Sequence, residues 1–355
     1  MKYSIIVGYK DIDIQRVDYF IKCLNNQTFK DFEIIFVDYF SKIENKQKLK
    51  ELFEKFNLNI KLVSLPSANK IWSRAHCLNI GADNSINEYL IFTDIDILFE
   101  VDFFSKINQK LSFTENSVFY YKCRYLDKNF DYDSLINPNP NYDYINKKAY
   151  KISTKVEKGL SIIPNKLFKE INGFDELYRI WGFEDLDLFQ RLENLNNCKI
   201  TNLSENEFMT YHKWHPPSKK DKYLPVDWIN FMRQYMYENK KNIIRNRIYS
   251  EFYNSNIESK FSFIDINLKS NSPSSVYFQL LNIFRVNKTG FLKIHFKLSR
   301  SKFVLLLDKF GIKHVNSSIQ YYYESFFYFI FNNEKNWINY EFFFNEDTIE
   351  LIVKL

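Results

Sequence analysis

The sequence predicts an α/β protein built on a mostly parallel sheet with helices on both faces, followed by a small β-rich appendage. Three observations predict it. Short aliphatic runs alternate with helically spaced apolar residues from the first residues to about residue 195, the pattern of βαβ units. Two of those runs, Ile34-Ile35-Phe36-Val37 and Leu90-Ile91-Phe92, are apolar throughout and lead into the acids Asp38 and Asp94. Such runs suit strands buried on both faces that emerge at a ligand-binding edge. Beyond residue 250 the apolar period changes to two.

Ser4-Ile5-Ile6-Val7 opens as a strand, and Val17, Phe20, Ile21 and Leu24 follow at i, i+3, i+4 and i+7 as a helix with one apolar face. Residues 33–38 are the second strand, with Leu49, Leu52, Phe53 and Phe56 marking the next helix. Residues 59–65 are the third strand, Ile71, Ala75, Leu78 and Ala82 the third helix, and the strand at Leu90 comes next. Residues 101–111 read as a helix and 117–121 as a strand. Residues 122–158, rich in Tyr, Asn, Asp and Pro with weak periodicity, read as one long loop, which inside a compact domain is usually functional or mobile. A strand at 159–163 stops at Pro164, a short helix covers 165–171, and Asn172-Gly173 caps it. Leu188, Leu192 and Leu195 stripe a further helix.

Pro216-Pro217-Ser218-Lys219-Lys220 reads as the exit from this domain, and a helix over 227–245 carries Trp228, Phe231, Met232 and Tyr235 on one side. Two parts are expected, 1–249 and 250–355. In the second, Leu292, Ile294, Phe296 and Leu298 alternate with Lys293, His295 and Lys297, and 303–307, 339–344 and 348–355 also read as strands. The aromatic run at 319–331 is too short and too polar to span a bilayer and reads as a buried element.

Composition excludes several classes. The 355 residues are 45% hydrophobic and 26% charged, a globular balance. The net charge of +6 is spread along the chain, which argues against nucleic-acid binding and suits an anionic substrate or an anionic membrane surface. Aromatics reach 19%, enough to fill cores and also to stack on sugars. The four cysteines have no CxxC spacing, which argues against a zinc site and a disulfide framework. Without a secretory h-region or a long apolar run, the expectation is a cytoplasmic protein, with peripheral contact at the inner face of the plasma membrane left open. Neither GxGxxG nor GxxxxGK[ST] occurs, so a bound nucleotide would be held by acids and a metal, not by a glycine nest.

Asp94-Ile95-Asp96 places two carboxylates one residue apart at a strand end. Such a pair repels itself unless a cation or proton intervenes, and a divalent metal that itself holds a phosphate answers this. In Trp181-Gly182-Phe183-Glu184-Asp185-Leu186-Asp187, three acids stand beside Trp and Gly just before a helix. Acids in a first turn suit the helix dipole; this many also suit a carboxylate that takes a proton from a hydroxyl. Two of the five histidines, His212 and His215, follow. With the two acids, one of them makes a mixed oxygen and imidazole site fit for Mn²⁺ or Mg²⁺, and the sequence does not choose which.

These segments, taken in order, resemble the nucleotide-sugar glycosyltransferases of the GT-A fold, particularly family two and the galactosyltransferase-like enzymes of capsule and lipopolysaccharide synthesis. Gln27-Thr28 with 32–38 is similar to the family's QT…EIIVVD segment, and Arg74-Ala75 with Asn79-Ile80-Gly81-Ala82 to its R-A-x-x-x-N-x-G-x-x-A helix. Asp94-Ile95-Asp96 looks like the DxD motif, and Gly173-Phe174-Asp175-Glu176 with 181–187 resembles GFDE…WGxEDxD. The likeness covers residues 1 to about 240. It departs at Asp38-Tyr39-Phe40-Ser41, where the family often has VDD-G-S, and at Phe183, where it has Gly. The latter adds bulk expected near the acceptor.

The resemblance implies an inverting, metal-dependent transfer of a hexose, galactose or N-acetylgalactosamine favoured, from a UDP-sugar to a glycan or lipid-linked glycan hydroxyl. By it, Asp185 is the base, Trp181, Glu184 and Asp187 bind the acceptor, and Asp38, Arg74 and Asp94 contact the donor. Asp96, a histidine and Asp94 hold the metal. The alternatives are a non-catalytic carbohydrate-binding module on a transferase fold and a haloacid-dehalogenase-like phosphotransferase, which also uses Asp-x-Asp after a strand.

Overall fold

A computed structural model describes residues 3–67, 72–111, 116–154, 158–178, 182–216, 228–239, 260–268, 274–298, 322–333, 336–337, 339–344 and 348–355. Its centre is a seven-stranded sheet. In chain order the strands and helices are β1 Tyr3–Tyr9, α1 Ile14–Asn25, β2 Phe32–Asp38, α2 Ile43–Phe53, β3 Ile60–Ser64, α3 Arg74–Asp83, β4 Tyr89–Thr93, β5 Ile97–Phe99, α4 Phe103–Leu111 and β6 Ser117–Tyr120. They continue as β7 Arg124–Leu126, α5 Tyr142–Lys148, β8 Ala149–Ile152, β9 Ser161–Pro164, α6 Asn165–Glu170, α7 Glu184–Glu193, β10 Lys199–Asn202 and β11 Thr210–His212. The large sheet runs β10-β6-β9-β4-β1-β2-β3. Every neighbouring pair is parallel except those of β9, which lies antiparallel to both β4 and β6.

The expected strands explain this sheet. All seven residues of β2 and all five of β4 are buried, as strands covered on both faces must be. On one face Val17, Phe20, Ile21 and Leu24 of α1 pack into a cluster with Ile5, Val7 and Phe36; on the other, Ala75, Leu78 and Ala82 of α3 pack with Ile6, Ile35 and Val37. Gly81 is where α3 comes closest to the sheet: a Cβ there would lie 2.3 Å from Ile6 Cγ2. Phe56 falls beyond the end of α2 and joins the core from a turn.

The long loop expected at 122–158 is instead structured. It contains β7, a 3₁₀ turn at Tyr132–Ser134, α5 and β8. The elements are three to seven residues long, too short for their periodicity to register. With β5 and β11 they make a second sheet, β5-β11-β7-β8, at the exit edge of the first.

The C-terminal part contains the small sheet that was expected, with helices packed beside it. Strands β12 Phe261–Leu268, β13 Phe291–Leu298, β14 Asn339–Phe344 and β15 Thr348–Lys354 form a sheet ordered β12-β13-β15-β14. Helices α8 Trp228–Asn239, α9 Ser274–Val286 and α10 Tyr323–Asn333 accompany it. β12 and β13 are parallel, so a crossover must join them, and α9 is that crossover. Leu292, Ile294, Phe296 and Leu298 are buried, as their alternation requires. The aromatic run supplies α10, whose Phe326, Phe329 and Ile330 are buried. Met232 and Tyr235 of α8 share this third cluster, together with Leu177 and Tyr178. Ile352 reaches back into the core beneath the large sheet, and Phe261 packs on that core. The strand expected at 303–307 and the exit segment from 217 to 220 lie outside the described residues.

Candidate active site

β4 ends in a tight turn in which Ile97 N donates to Asp94 O at 3.1 Å, and β5 leads away. β11 pairs antiparallel with β5, His212 opposite Ile97, and Lys213 N donates to Asp96 O at 2.7 Å. This pairing sets both histidines around one carboxylate oxygen. Asp96 Oδ2 lies 3.0 Å from His215 Nε2 and 3.8 Å from His212 Nε2. One ligand atom from each of Asp96, His212 and His215 falls within 4.8 Å of the others, a spacing at which one ion could touch all three. An oxygen and two imidazole nitrogens are a donor set that fits Mn²⁺ or a similar borderline ion. Burial pushes the His212 imidazole below its ordinary range, against the attraction of Asp96, which favours the neutral, ligating form. His215 is raised by its bond to Asp96. Burial works against ionisation of Asp96, but the His215 bond and the charges of His212 and Arg16 outweigh it and hold the carboxyl below its ordinary range.

Arg74, the first residue of α3, is the hub of the neighbouring surface. Ser73 caps the helix, its Oγ accepting from His76 N. Arg74 Nε donates to Asp94 Oδ1 at 2.9 Å and Nη2 to Gly159 O at 2.8 Å, while Nη1 stands 3.6 Å from Glu184 Oε1 with no hydrogen-bond partner. Burial opposes its charge, but Asp94 and Glu184 more than compensate and raise it. Glu184 and Asp185 open α7. Burial, then the charge of Asp185, pushes the Glu184 carboxyl up to about 7. Burial also raises Asp185, although its Oδ2 accepts from Lys158 N at 3.2 Å and its Oδ1 from Leu186 N at 2.9 Å. A cavity of about 560 Å³ connects these groups, with Asp94, His212, Arg74, Glu184 and Asp185 all in its wall.

The structure thus gathers Arg74, Asp94, Asp96, Glu184, Asp185, His212 and His215 in one region. Asp94 stands apart from the metal-ready cluster and is bound to Arg74. Asp38, expected at the donor, is fully buried: Ser64 Oγ donates to its Oδ2 at 2.6 Å, with Lys46 Nζ 3.3 Å away. A nucleotide would have to displace one of these partners to reach it.

Asp187, expected at the acceptor, is turned inward and is not in the cavity wall. Its carboxylate is 2% exposed, takes a 2.8 Å bond from Arg191 Nε and accepts from Tyr178 OH, so it locks α7 from within. Its place three residues into the helix turns it to the buried face. Trp181 lies outside the described residues. Phe183 has φ of 72°, the left-handed conformation that favours the Gly of the related motif. Its ring packs on the cluster of the C-terminal part.

Two residues escaped the sequence reading. Arg16, on α1, donates from Nη2 to Asp96 Oδ2 at 2.8 Å. Glu100, fully buried, accepts from Met209 N at 2.8 Å, and its own N–H donates to Met209 O at 3.0 Å. No local motif marks either one: Arg16 reaches the site from helix α1, and Glu100 is brought against Met209 by the β5–β11 pairing.

A stretch of 117 residues aligns with the xylosylprotein 4-beta-galactosyltransferase of Caenorhabditis elegans at 30% identity, covering 29% of this chain and 40% of that protein. Among solved structures, S. aureus TarS 1–349 in complex with UDP-GlcNAc is similar at 20% identity and a TM-score of 0.48, covering 66% of this chain and 65% of that one. GalNAc-T7 with UDP, GalNAc and Mn²⁺ gives 16% and 0.45, covering 66% and 50%. The chain therefore spans less than two thirds of the length of each. These structural likenesses are weak, and the fold assignment rests on the strand order above and on the family match. The model of the family described as "Glycosyltransferase like family 2" matches residues 12–217, well over half of the chain, and the chain belongs to that family.

Proposed function

We propose that the protein is an inverting, metal-dependent glycosyltransferase that moves a hexose, galactose or N-acetylgalactosamine, from a UDP-sugar to a hydroxyl of a bacterial surface-glycan precursor. One observation carries this reading: a single cavity has in its wall His212, one of the three metal-ready residues, and the carboxylate pair Glu184 and Asp185, with Arg74 beside both acids. The galactosyltransferase named above favours the choice of sugar. The surface-glycan acceptor rests on the resemblance to capsule and lipopolysaccharide enzymes. Among the described residues no helix is long and apolar enough to cross a membrane, which is compatible with the cytoplasmic site we propose.

Asp96, His212 and His215 would hold the ion. When bound, it would act as a Lewis acid on the departing diphosphate. Arg74 has an unpartnered Nη1 in the cavity wall and would contact phosphate oxygens. Asp185 takes the proton from the acceptor hydroxyl; burial, by raising its proton affinity, makes it a stronger base. Glu184 orients that hydroxyl.

The test is thermal stabilisation by UDP with and without Mn²⁺, beside GDP, CMP and ADP. A Tm rise with UDP that needs Mn²⁺ is expected, followed by UDP release from UDP-galactose or UDP-N-acetylgalactosamine. A rise with GDP alone would change the donor, and no rise with any nucleotide would overturn the reading.

A further inference from the structure

Asp96 Oδ2 is the oxygen on which the cation site depends, and in this structure Arg16 Nη2 donates to it at 2.8 Å. The guanidinium reaches across from α1, its side chain 20% exposed. A second donor of the same group, Nε, is buried and has no hydrogen-bond partner. The same oxygen faces His215 Nε2 at 3.0 Å and His212 Nε2 at 3.8 Å, so the guanidinium stands where a cation bound by these groups would meet it. A divalent ion entering here would share Asp96 Oδ2 with a guanidinium and be repelled by it. A diphosphate changes this balance, because it offers the guanidinium a planar, charge-assisted match that a lone carboxylate oxygen does not.

We infer that Arg16 couples the two ligands: it holds Asp96 while the site is without a cation, and moves to the diphosphate when cation and nucleotide bind together. This rests on the reading proposed above. Arg16 is a positioning residue for the cation and a binding residue for the diphosphate. By linkage the coupling is reciprocal, so UDP tightens Mn²⁺ by the same factor as Mn²⁺ tightens UDP.

The test is titration calorimetry of Mn²⁺ with and without saturating UDP, and of UDP with and without saturating Mn²⁺. It is run on the wild type, Arg16→Gln and Arg16→Lys, with circular dichroism confirming the fold. In the wild type, UDP is expected to tighten Mn²⁺ by tenfold or more, on the order of the coupling found between linked sites. In Arg16→Gln, Mn²⁺ alone should bind about tenfold more tightly than to the wild type, and the tightening by UDP should shrink by a similar factor. Arg16→Lys keeps the charge without the fork and should fall between the two. If Arg16→Gln does not fold, the lysine variant carries the same comparison.

Mn²⁺ affinity in the variants no tighter than in the wild type, or coupling of undiminished size, would overturn the inference while leaving the transferase reading intact. A wild type that binds UDP and Mn²⁺ independently would also overturn it. A wild type that binds neither would remove both.

Discussion

The amide of Lys213 donates to the carbonyl of Asp96 at 2.7 Å, one step beyond the last pair of the β5–β11 ladder. The turn that carries Asp96 and the strand that carries His212 are thereby held as one piece. Glu100 closes the other end of the same ladder through its bonds to Met209, with Lys106 Nζ 2.8 Å from its Oε2. Glu100→Ala removes this clasp without touching a ligand atom. We expect Mn²⁺ affinity to fall about 10- to 100-fold, as when a group that orients a ligand is lost, with UDP-sugar turnover restored by excess Mn²⁺. Titration of Mn²⁺ against initial rate checks this; an unchanged Mn²⁺ dependence would show that β5 and β11 hold their register alone.

Asp185→Asn leaves the shape of the cavity and removes the proton acceptor. Turnover should fall by about 100-fold or more while UDP and Mn²⁺ still bind. Initial rates beside UDP calorimetry separate the two effects; loss of UDP binding as well would make Asp185 a structural residue. Because burial raises Asp185, the acid limb of the wild-type pH–rate profile should lie above the ordinary carboxylate range.

Glu184 ties stability to pH. Burial raises its carboxyl from 4.5 to about 7 in the folded chain, so the folded state holds the proton more tightly than the unfolded state does. That contribution is fully present below about 4.5 and is lost as pH rises through about 7. Glu184→Gln cannot ionise and escapes the loss. It should be more stable than the wild type at pH 8, by on the order of 1–3 kcal/mol, and the gain should shrink towards pH 5 and vanish below about 4.5. Paired melts across that range decide it; a gain independent of pH would mean that the glutamate is not protonated on folding.

Asp187→Ala strips the partner from Arg191, whose side chain is only 1% exposed. Leaving that charge buried should cost about 3–5 kcal/mol. At temperatures where the variant stays folded, KM for the acceptor should be unchanged. A raised acceptor KM with little loss in urea stability would return Asp187 to acceptor binding.

Gly81→Ala should destabilise by about 1–3 kcal/mol, because the new methyl would sit 2.3 Å from Ile6 Cγ2 and 3.2 Å from Val37 Cγ2. Ile6→Ala in the same chain should recover part of that loss, which equilibrium unfolding of the double variant measures.

The motifs that were legible are those with a local backbone reason. Asn79 donates to Phe174 O and accepts from Phe174 N, both at 2.9 Å, so two segments of the family pattern are one contact in space. Gln27 Nε2 donates to Glu100 O at 2.8 Å, and Thr28 N to Val101 O, so the QT pair braces the chain just beyond the Asp-x-Asp turn. The alternating strands and helices up to β6 were legible for the same reason, since burial on both faces leaves an uninterrupted apolar run. The second sheet was not, because its strands are three or four residues long and owe their pairing to partners far along the chain. β9 is reversed in the sheet, so the residues it brings to the cavity, Gly159 and Leu160, precede the strand, where those of its antiparallel neighbours β4 and β6 follow theirs. Asp187 shares a motif with Asp185, but its side chain turns inward onto Arg191 and Tyr178, a placement the motif alone does not show. The C-terminal part showed its strands through period two, whereas α9 and α10, apolar on several sides, showed no clean stripe.

Ile352 and Phe261 carry a consequence for inheritance. They seat the C-terminal part in the core beneath the large sheet, and Phe183 and Tyr178 reach the opposite way into its own cluster. Two parts joined in this manner cannot be exchanged between relatives as if they were beads on a string. A recombinant joining this chain's first part to a foreign second part would meet mismatched apolar surfaces on both sides of the seam. Descent should therefore have kept the pair together, with substitutions on one side of the seam answered on the other.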